Sequence, residues 1–396
     1  MPEGVDLAAV VNRETPAGAL NDFAIDGIAS ILADLVRIDS QNPELVTGAP
    51  GERAIAEYCV RWFQRRGIEA WIDEVQPGRC NAVARVAGGE GPTLALCAHL
   101  DTVSIDGMGD DALEPRVVDR RMYGRGSYDM KGGVAAIMAA VAALAKRPPR
   151  GTVFAALVCD EEYASSGARD FVQRYRSDAC IVTEPSDGRL ILAHKGFVWA
   201  EIETSGVAAH GSKWAEGVSA IARMGRVITA LDEFDRTTLR RRTHPLLGPA
   251  SLHCAMISGG AGWSTYAPRC TMRVERRTLP GESAADVLDE LRSIVAVAGE
   301  EADVREALSR SPLECPPDSV IAGAAAAALE AETGGPAEIA GVAYWMDAAI
   351  FADAGAATVD YGPSGGGAHG AIEWVELESV ARCARVICDA ARRFNS

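Results

Sequence analysis

The sequence lacks an excess of basic residues, a long hydrophobic run and any CxxC pair of cysteines. Lys and Arg number 39 against 55 Asp and Glu, and the formal net charge is -16. So acidic a chain has no surplus of cations with which to displace the counterions of a nucleic acid or to approach an anionic membrane. We therefore expect neither partner. The one basic run, at 236–244, is typical of a solvated loop or helix end.

The absence of a long hydrophobic run also indicates where in the cell the protein is located. The N-terminal segment carries Glu3, Asp6, Arg13 and Glu14 and has no apolar stretch of the kind found in signal peptides. The longest apolar run, at 133–145, is too short to cross a bilayer and is typical of a buried helix. Ten cysteines are present, but several lie in strand-like apolar runs, which favours free, buried thiols. Together these features predict a cytoplasmic protein.

Hydrophobic patterning over residues 26–193 alternates between helical and strand-like segments. This alternation predicts an α/β fold with a mainly parallel sheet and helices on both of its faces. From residue 194 the order becomes β-α-β-β-α-β, the split βαβ or ferredoxin-like arrangement. After Pro312 the first pattern resumes. The sequence therefore predicts a catalytic domain formed by residues 1–193 and 312–396, interrupted by an inserted α+β domain at 194–311.

Short polar motifs follow several of the apolar runs, at the predicted carboxyl ends of strands, where open α/β sheets form their sites. The motifs offer imidazole nitrogens and carboxylate oxygens, which can hold two divalent cations when one carboxylate bridges them. The candidate residues are His99, Asp101, Asp129, Glu161, Glu162, Glu184 and His369. No Lys-Ser/Thr pair follows the glycine-rich stretch around Asp129, so we expect a tight turn there and not a phosphate-binding loop.

In order, spacing and flanking residues these motifs resemble the M20 metallopeptidases, the group of acetylornithine deacetylase, succinyl-diaminopimelate desuccinylase, aminoacylase and glutamate carboxypeptidase. The resemblance rests on the segments AHLDTV, YGRGSYDMKGG, CDEEYASSG, IVTEPSD and GGGAHGAIEW. It implies an enzyme with two Zn²⁺ ions, for which Co²⁺ or Mn²⁺ could substitute, and a small N-acyl amino acid or short peptide as substrate.

The resemblance implies a role for each metal ligand. His99 and Glu184 would bind one zinc ion. His369 and Glu162 would bind the other, and Asp129 would bridge the two. The peptide bond that follows Asp129 is expected to be cis, as in relatives.

Three further residues would take part in catalysis. Glu161 would be the general base that takes a proton from water and delivers it to the leaving amine; a second ligand or a surface acid is the alternative. Asp101 would accept a hydrogen bond from His99 and so fix its tautomer, unless it only caps a turn. His210 would reach from the inserted domain into the active site of a partner chain, which implies a homodimer formed through that domain.

Substrate recognition is implied for two positions in the inserted domain. Arg277 would hold a substrate carboxylate with its planar guanidinium, whereas Arg276 points to the opposite face of the strand; a surface salt bridge is the alternative for either. Thr265 stands where relatives carry an asparagine that contacts substrate, so it, Ser264 or Tyr266 could supply a substitute donor. The remaining histidines are His194, His244 and His253. They are expected to be structural or solvated, with His253 as the candidate exception, because its strand leads into the loop that carries Thr265.

Substrate choice depends on the segment YWMDAA at 344–349, which replaces a Ser/Thr-rich stretch of the desuccinylases. Trp345 and Met346 favour a more apolar pocket. The leading hypothesis is a deacylase of the acetylornithine deacetylase type, and the alternative is an exopeptidase or dipeptidase on the same scaffold. A catalytically silent metal-binding protein is a third possibility, which the complete ligand set and Glu161 argue against.

Overall fold

A computed structural model describes residues 23–396. The acidic and basic residues that argued against a signal peptide, Glu3, Asp6, Arg13 and Glu14, lie outside the described residues. The helices are α1 (Ile25–Arg37), α2 (Arg53–Gln64), α3 (Gly132–Lys146), α4 (Ser166–Arg174), α5 (Ala220–Thr237), α6 (Ala284–Val297), α7 (Val320–Thr333), α8 (Ala348–Asp353) and α9 (Leu377–Phe394).

The strands are β1 (Glu69–Gln76), β2 (Arg79–Ala87), β3 (Thr93–His99), β4 (Arg116–Val118), β5 (Arg121–Tyr123), β6 (Thr152–Val158), β7 (Ala179–Val182), β8 (Leu190–His194), β9 (Gly196–Ser205), β10 (Thr243–His244), β11 (Gly248–Pro249), β12 (Ser251–Gly259), β13 (Arg269–Thr278), β14 (Ala302–Arg310), β15 (Leu313–Glu314), β16 (Ile339–Val342), β17 (Ala357–Asp360), β18 (Gly365–Gly366) and β19 (Trp374–Glu376). A short distorted helical turn, Ser127–Lys131, precedes α3.

The largest sheet has parallel strands at its centre and antiparallel strands towards both edges. Its order is β1-β2-β6-β3-β7-β17-β8-β15, with β16 beside β8. Strands β6, β3, β7 and β17 are parallel neighbours, whereas β2 with β1 on one side, and β8 with β15 on the other, are antiparallel. The predicted α/β fold is confirmed. His99, Glu161, Glu162 and Glu184 end or follow strands of the parallel part of this sheet, whereas Asp129 and His369 follow strands of a separate four-stranded sheet, β18-β19-β5-β4.

The helices around this sheet pack in two groups. Helices α1, α2, α3, α7 and α9 contact one another, while α4 and α8 pack together against β6, β7 and β17. This grouping is what helices on both faces of a sheet produce. Helix α3 contains the apolar run singled out above. The whole stretch Ser127–Lys146 is longer than this run, and by length and composition it could cross a membrane, but 89% of its most apolar window is buried inside the structure, as expected for a core helix.

The chain separates into two compact units. The first contains residues up to Leu192 together with Cys315–Ala340 and Met346–Ser396, and the second contains Ala193–Glu314 and Gly341–Trp345. The second unit thus includes a short segment that the sequence had placed with residues 312–396. It belongs there because Lys195 N donates to Val342 O at 3.3 Å and the Trp345 ring packs against His194 and Phe197.

The second unit has the element order β9-α5-β12-β13-α6-β14, which is the predicted β-α-β-β-α-β order. Its sheet is antiparallel in the order β12-β13-β9-β14. Alternate β9 residues, Val198, Ala200 and Ile202, are buried in the unit's core with the apolar side chains of α5 and α6. Ser219 and Ser283 cap the two helices through their side chains.

All ten cysteines lie among the described residues, and none of them forms a disulfide. Nine are buried and Cys254 is exposed. Free, buried thiols were the sequence-based expectation, from which the exposed Cys254 departs.

Candidate metal centre

Asp129 lies between two histidines that come from opposite ends of the first unit's sequence. His99 is the last residue of β3, and its Nε2 lies 3.2 Å from Asp129 Oδ1 and 3.6 Å from Glu184 Oε1. His369 Nε2 lies 3.2 Å from the other oxygen, Asp129 Oδ2. Each carboxylate oxygen of Asp129 therefore faces a different imidazole, which is the arrangement of a ligand that bridges two cations.

The adjacent residues Glu161 and Glu162 have different partners in this cluster. Glu162 Oε2 lies 3.1 Å from His369 Nε2, and Glu162 also groups with His99 and Asp129. Glu161 groups with His99 and Glu184, and within each group the ligand atoms all lie within 4.8 Å of one another. The structure thus brings together the five predicted ligands and the predicted base.

The donor set fits divalent cations. Two imidazole nitrogens and several carboxylate oxygens are the ligands that zinc, cobalt and manganese accept. Burial, together with the carboxylates around it, raises the pKa of Glu184 to about 8, even though His99 opposes the shift. Burial and Glu184 raise the pKa of Glu161 well above its usual range. The cluster holds more negative charge than its histidines neutralise, and divalent cations would stabilise it.

The orientation of His99 is set by the backbone of Asp101. His99 Nδ1 lies 2.9 Å from the carbonyl oxygen of Asp101, so Nδ1 carries the hydrogen and Nε2 is left to bind a cation. The sequence predicted the Asp101 side chain for this task, but its carboxylate is 3.7 Å from Nδ1. The carboxylate accepts instead from the backbone amides of Glu161 and Glu162, each at 3.1 Å. A residue two positions along an extended segment presents its carbonyl to the ring and its side chain to the neighbouring loop.

The turn that presents Asp129 is held by Glu373, a residue that the sequence did not single out. The carboxylate of Glu373 accepts from the backbone amides of Gly126, Tyr128 and Asp129 at 2.9–3.0 Å and from the Arg125 guanidinium at 2.8 Å. The only available signal was its place four residues after His369. The peptide bond between Asp129 and Met130 is cis, as the resemblance predicted.

The second unit brings His210 and Thr265 side by side. The two residues form an antiparallel β-bridge between two exposed loops. Gly211 N donates to Ser264 O at 2.7 Å, and Tyr266 N donates to Ala209 O at 3.0 Å. Two candidates that lie 55 positions apart in the sequence therefore occupy one loop pair.

The neighbouring arginines of β13 point to opposite faces, as predicted. Arg276 is fully buried and paired with Glu282 at 2.5 Å. Arg277 is partly exposed, with its Nε 3.3 Å from Glu275 and its guanidinium 5.6 Å from the centre of the Phe197 ring. Of the two, only Arg277 is accessible to a ligand.

The remaining histidines have structural or solvated surroundings. His194 is buried, with Nδ1 3.0 Å from the carbonyl oxygen of Lys195, and burial lowers its pKa to about 4. His244 lies 3.0 Å from Glu314, and His253 is exposed on the edge strand β12.

Comparison with known proteins agrees with this geometry. The model of peptidase family M20/M25/M40 matches residues 95–393. The chain belongs to this family. Together with the cluster around Asp129, membership identifies a metal-dependent hydrolase of amide bonds.

Curated relatives of this family member include two acetylornithine deacetylases. That of Vibrio campbellii is 32% identical over 262 residues, which are 64% of this chain and 68% of the relative. That of Vibrio cholerae serotype O1 is 33% identical over 248 residues, 61% of this chain and 65% of the relative. The chain thus spans about two thirds of the length of these relatives.

Solved structures match over almost the whole chain. Aminopeptidase PepT from Bacillus cereus has a TM-score of 0.79 at 18% identity, covering 95% of this chain and 100% of that one. Human carnosine dipeptidase 1 has a TM-score of 0.70 at 16% identity, covering 94% and 97%. The Bacillus subtilis YXEP protein, described as a dinuclear metal-binding peptidase of the M20 family, has a TM-score of 0.71 at 18% identity, covering 92% and 96%. At these identities the likeness establishes the fold.

Proposed function

We propose that this enzyme removes the acyl group from an N-acyl amino acid by hydrolysing its amide bond at a centre of two zinc ions. The observation that carries the proposal is the position of Asp129, which turns one oxygen to His99 and the other to His369. His99 and Glu184 would hold one cation, and His369 and Glu162 the other. When bound, the cations would polarise the amide carbonyl and lower the pKa of the attacking water.

Glu161 is the proposed general base. It faces the His99 half of the cluster, whereas its neighbour Glu162 is engaged with His369. Its carboxylate would take a proton from the attacking water and pass it to the leaving nitrogen. In this role Glu161 would move a proton and leave the binding of the cations to its neighbours, although it groups with His99 and Glu184 in the structure.

The substrate proposal rests on the second unit and on the relatives. Arg277 would bind the carboxylate of the amino acid, which suits its partial exposure. Beside it, Phe197 packs against Trp199 and Trp345, and this aromatic surface favours an apolar side chain on the substrate. Met346, which the sequence grouped with Trp345, is buried and adds to the core instead.

A homodimer formed through the second unit completes the proposal. Strand β12 is an edge of the four-stranded sheet, and its side chains Met256 and Ile257 are 61% and 56% exposed. Unpaired, apolar edge strands readily pair with another chain. In the dimer, His210 and Thr265 would serve the active site of the partner subunit. Light scattering tests this: a fully active monomer would contradict it.

We also propose a cytoplasmic location, which the free thiols of the described residues support, because a reducing compartment preserves them.

The decisive experiment combines metal analysis with a substrate panel. Purified protein should contain about two zinc ions per chain, and it should release free amine from N-acetyl derivatives of apolar amino acids and of ornithine. Dipeptides are assayed as the second group of substrates. Faster cleavage of dipeptides would favour the exopeptidase alternative, and no release from any compound by the zinc-loaded protein would overturn the proposal.

A further inference from the structure

Five buried polar side chains adjoin the segment that carries Glu161 and Glu162. They are Asn42, Glu52, Arg79, Asp101 and Asp160, none more than 6% exposed. Three carboxylates against one guanidinium leave two negative charges in excess. Burying such charge is costly unless each carboxylate is hydrogen-bonded. The oxygens of the three carboxylates should therefore nearly all accept hydrogen bonds, and they do.

Arg79 and Glu52 hold Asp160 from one side. Arg79 donates from Nε and one terminal nitrogen to the two oxygens of Glu52, at 2.7 and 2.6 Å. The same terminal nitrogen donates to Asp160 Oδ1 at 2.9 Å. Glu52 Oε1 also accepts from the backbone amide of Asp160 at 3.2 Å. Both the side chain and the backbone amide of Asp160 are thus hydrogen-bonded to the bidentate ion pair between Arg79 and Glu52.

The backbone of Asp160 has an uncommon conformation. Its φ is +70°, in the left-handed region that residues other than glycine seldom adopt. Such a conformation persists where its surroundings over-determine it. The carbonyl of Asp160 accepts from Ala164 N at 3.1 Å, and its Oδ2 accepts from Ser166 N at 3.3 Å. Because Asp160 directly precedes Glu161, its conformation sets the direction in which the next two residues leave β6.

Asn42 joins Asp160 to Asp101. Its single amide nitrogen donates to Asp101 Oδ2 at 2.8 Å and to Asp160 Oδ1 at 3.1 Å. Asp101 in turn accepts the backbone amide of Glu161 at one oxygen and that of Glu162 at the other. A continuous chain of hydrogen bonds therefore runs from the Arg79 guanidinium to both glutamate amides.

We infer that Asn42 and Arg79 are positioning residues, which hold the turn at Asp160 so that Glu162 faces His369 while Glu161 stays on the His99 side. The inference rests on the proposed roles of these two glutamates. Neither positioning residue has an assigned contact with substrate or with a cation. Their effect passes through Asp160 and Asp101 to the amides of the two glutamates.

Asn42→Ala, Arg79→Lys and Arg79→Met test the inference. Arg85→Met is the matched control, since Arg85 lies on the same strand and pairs with Glu69, but both side chains are largely exposed. We expect Asn42→Ala and Arg79→Met to weaken zinc binding, measured by competition with a chelator, by about 10- to 100-fold. At saturating zinc, kcat should remain lower by a similar factor while KM changes little, because substrate contacts are intact. Arg79→Lys should recover part of the loss.

The inference fails if folded Asn42→Ala and Arg79→Lys match the wild type in zinc affinity and kcat and lose only thermal stability. Should Arg79→Met not fold, these two variants decide the question. The zinc titration needs no substrate, so it separates this inference from the proposed function. A wild type that binds zinc but cleaves nothing in the panel would overturn the function and leave the test of positioning in place.

Discussion

The two halves of the metal centre are built in different ways. His99 ends a central strand, is 2% exposed and is oriented by a backbone carbonyl two residues away. His369 lies in a glycine-rich loop, has a φ of +59° and exposes 55% of its side chain. Hydrogen bonds to Asp129 and Glu162 raise the pKa of His369 to about 10. The buried half is pre-formed by the sheet, whereas the exposed half depends on its loop, and we expect it to release its cation first.

The largest expected effect separates the two histidines. His99→Ala should remove both cations and all hydrolysis, because the Asp129 and Glu184 carboxylates lose the imidazole they share. His369→Ala should retain one cation, in the buried half. Metal content after dialysis measures the difference, with exposed His253→Ala as the control. If His369→Ala lost both cations and His99→Ala retained one, the exposed half would be the one on which the other half depends.

Next in size is the difference between the two adjacent glutamates. Glu161→Ala should keep both cations and lower kcat by about 10²- to 10⁴-fold, the usual scale for one general base. Glu162→Ala should instead lose the cation of the His369 half. Metal analysis and steady-state kinetics on the same preparations test both. Full turnover by Glu161→Ala would rule out its assignment as the base.

A smaller effect should follow from Glu373→Gln, which acts on the ligand common to both halves. One carboxylate oxygen would be replaced by an amide nitrogen, which cannot accept from the donors that Glu373 now holds, Arg125 and the amides of the Asp129 turn. We expect both cations to bind about 10- to 100-fold more weakly. Isothermal titration with zinc should show the two sites weakened together. If only one cation bound more weakly, the Asp129 oxygen that faces the other cation would be held in place by contacts other than those made by Glu373.

The smallest expected effect is confined to the exposed half. Gly367 has a φ of +80°, and a Cβ there would lie 1.7 Å from the carbonyl oxygen of Ile372. Gly367→Ala should therefore displace the His369 loop and weaken only that cation, by about tenfold or about 1.4 kcal/mol. Gly335→Ala, with nothing within 4 Å of its Cβ position, is the control. Equal weakening of both cations would show that the two halves are not independent.

Several features of the site could be predicted from the sequence. The candidate ligands His99, Asp129, Glu162, Glu184 and His369 each lie in a short motif, and the structure brings all five together. The positions of the motifs after β3, β6 and β7 could be predicted because the hydrophobic pattern locates these strands, and the carboxyl ends of parallel strands lie at one edge of the sheet.

Other features could not be predicted, since they depend on distant contacts. Asn42 meets Asp160 across 118 positions, and Glu373 meets the amide of Asp129 across 244. Asp101 was correctly predicted to hydrogen-bond His99, but through its carboxylate. The acceptor is its backbone carbonyl, because the folded conformation of the backbone decides which of the two groups faces the ring. Likewise, residues 341–345 join the second unit through contacts that no periodicity encodes.

The sequence by itself determined the α/β class and the β-α-β-β-α-β order of the second unit. These follow from hydrophobic period and chain order, which are local properties. It also supplied the candidate metal ligands, which its motifs marked through their resemblance to the M20 metallopeptidases. The tertiary structure decided which oxygen of Asp129 faces which histidine and which buried groups hold Glu161 and Glu162 in place. Hydrogen bonds are directional and short, so their partners are fixed only when packing brings distant segments within about 3 Å.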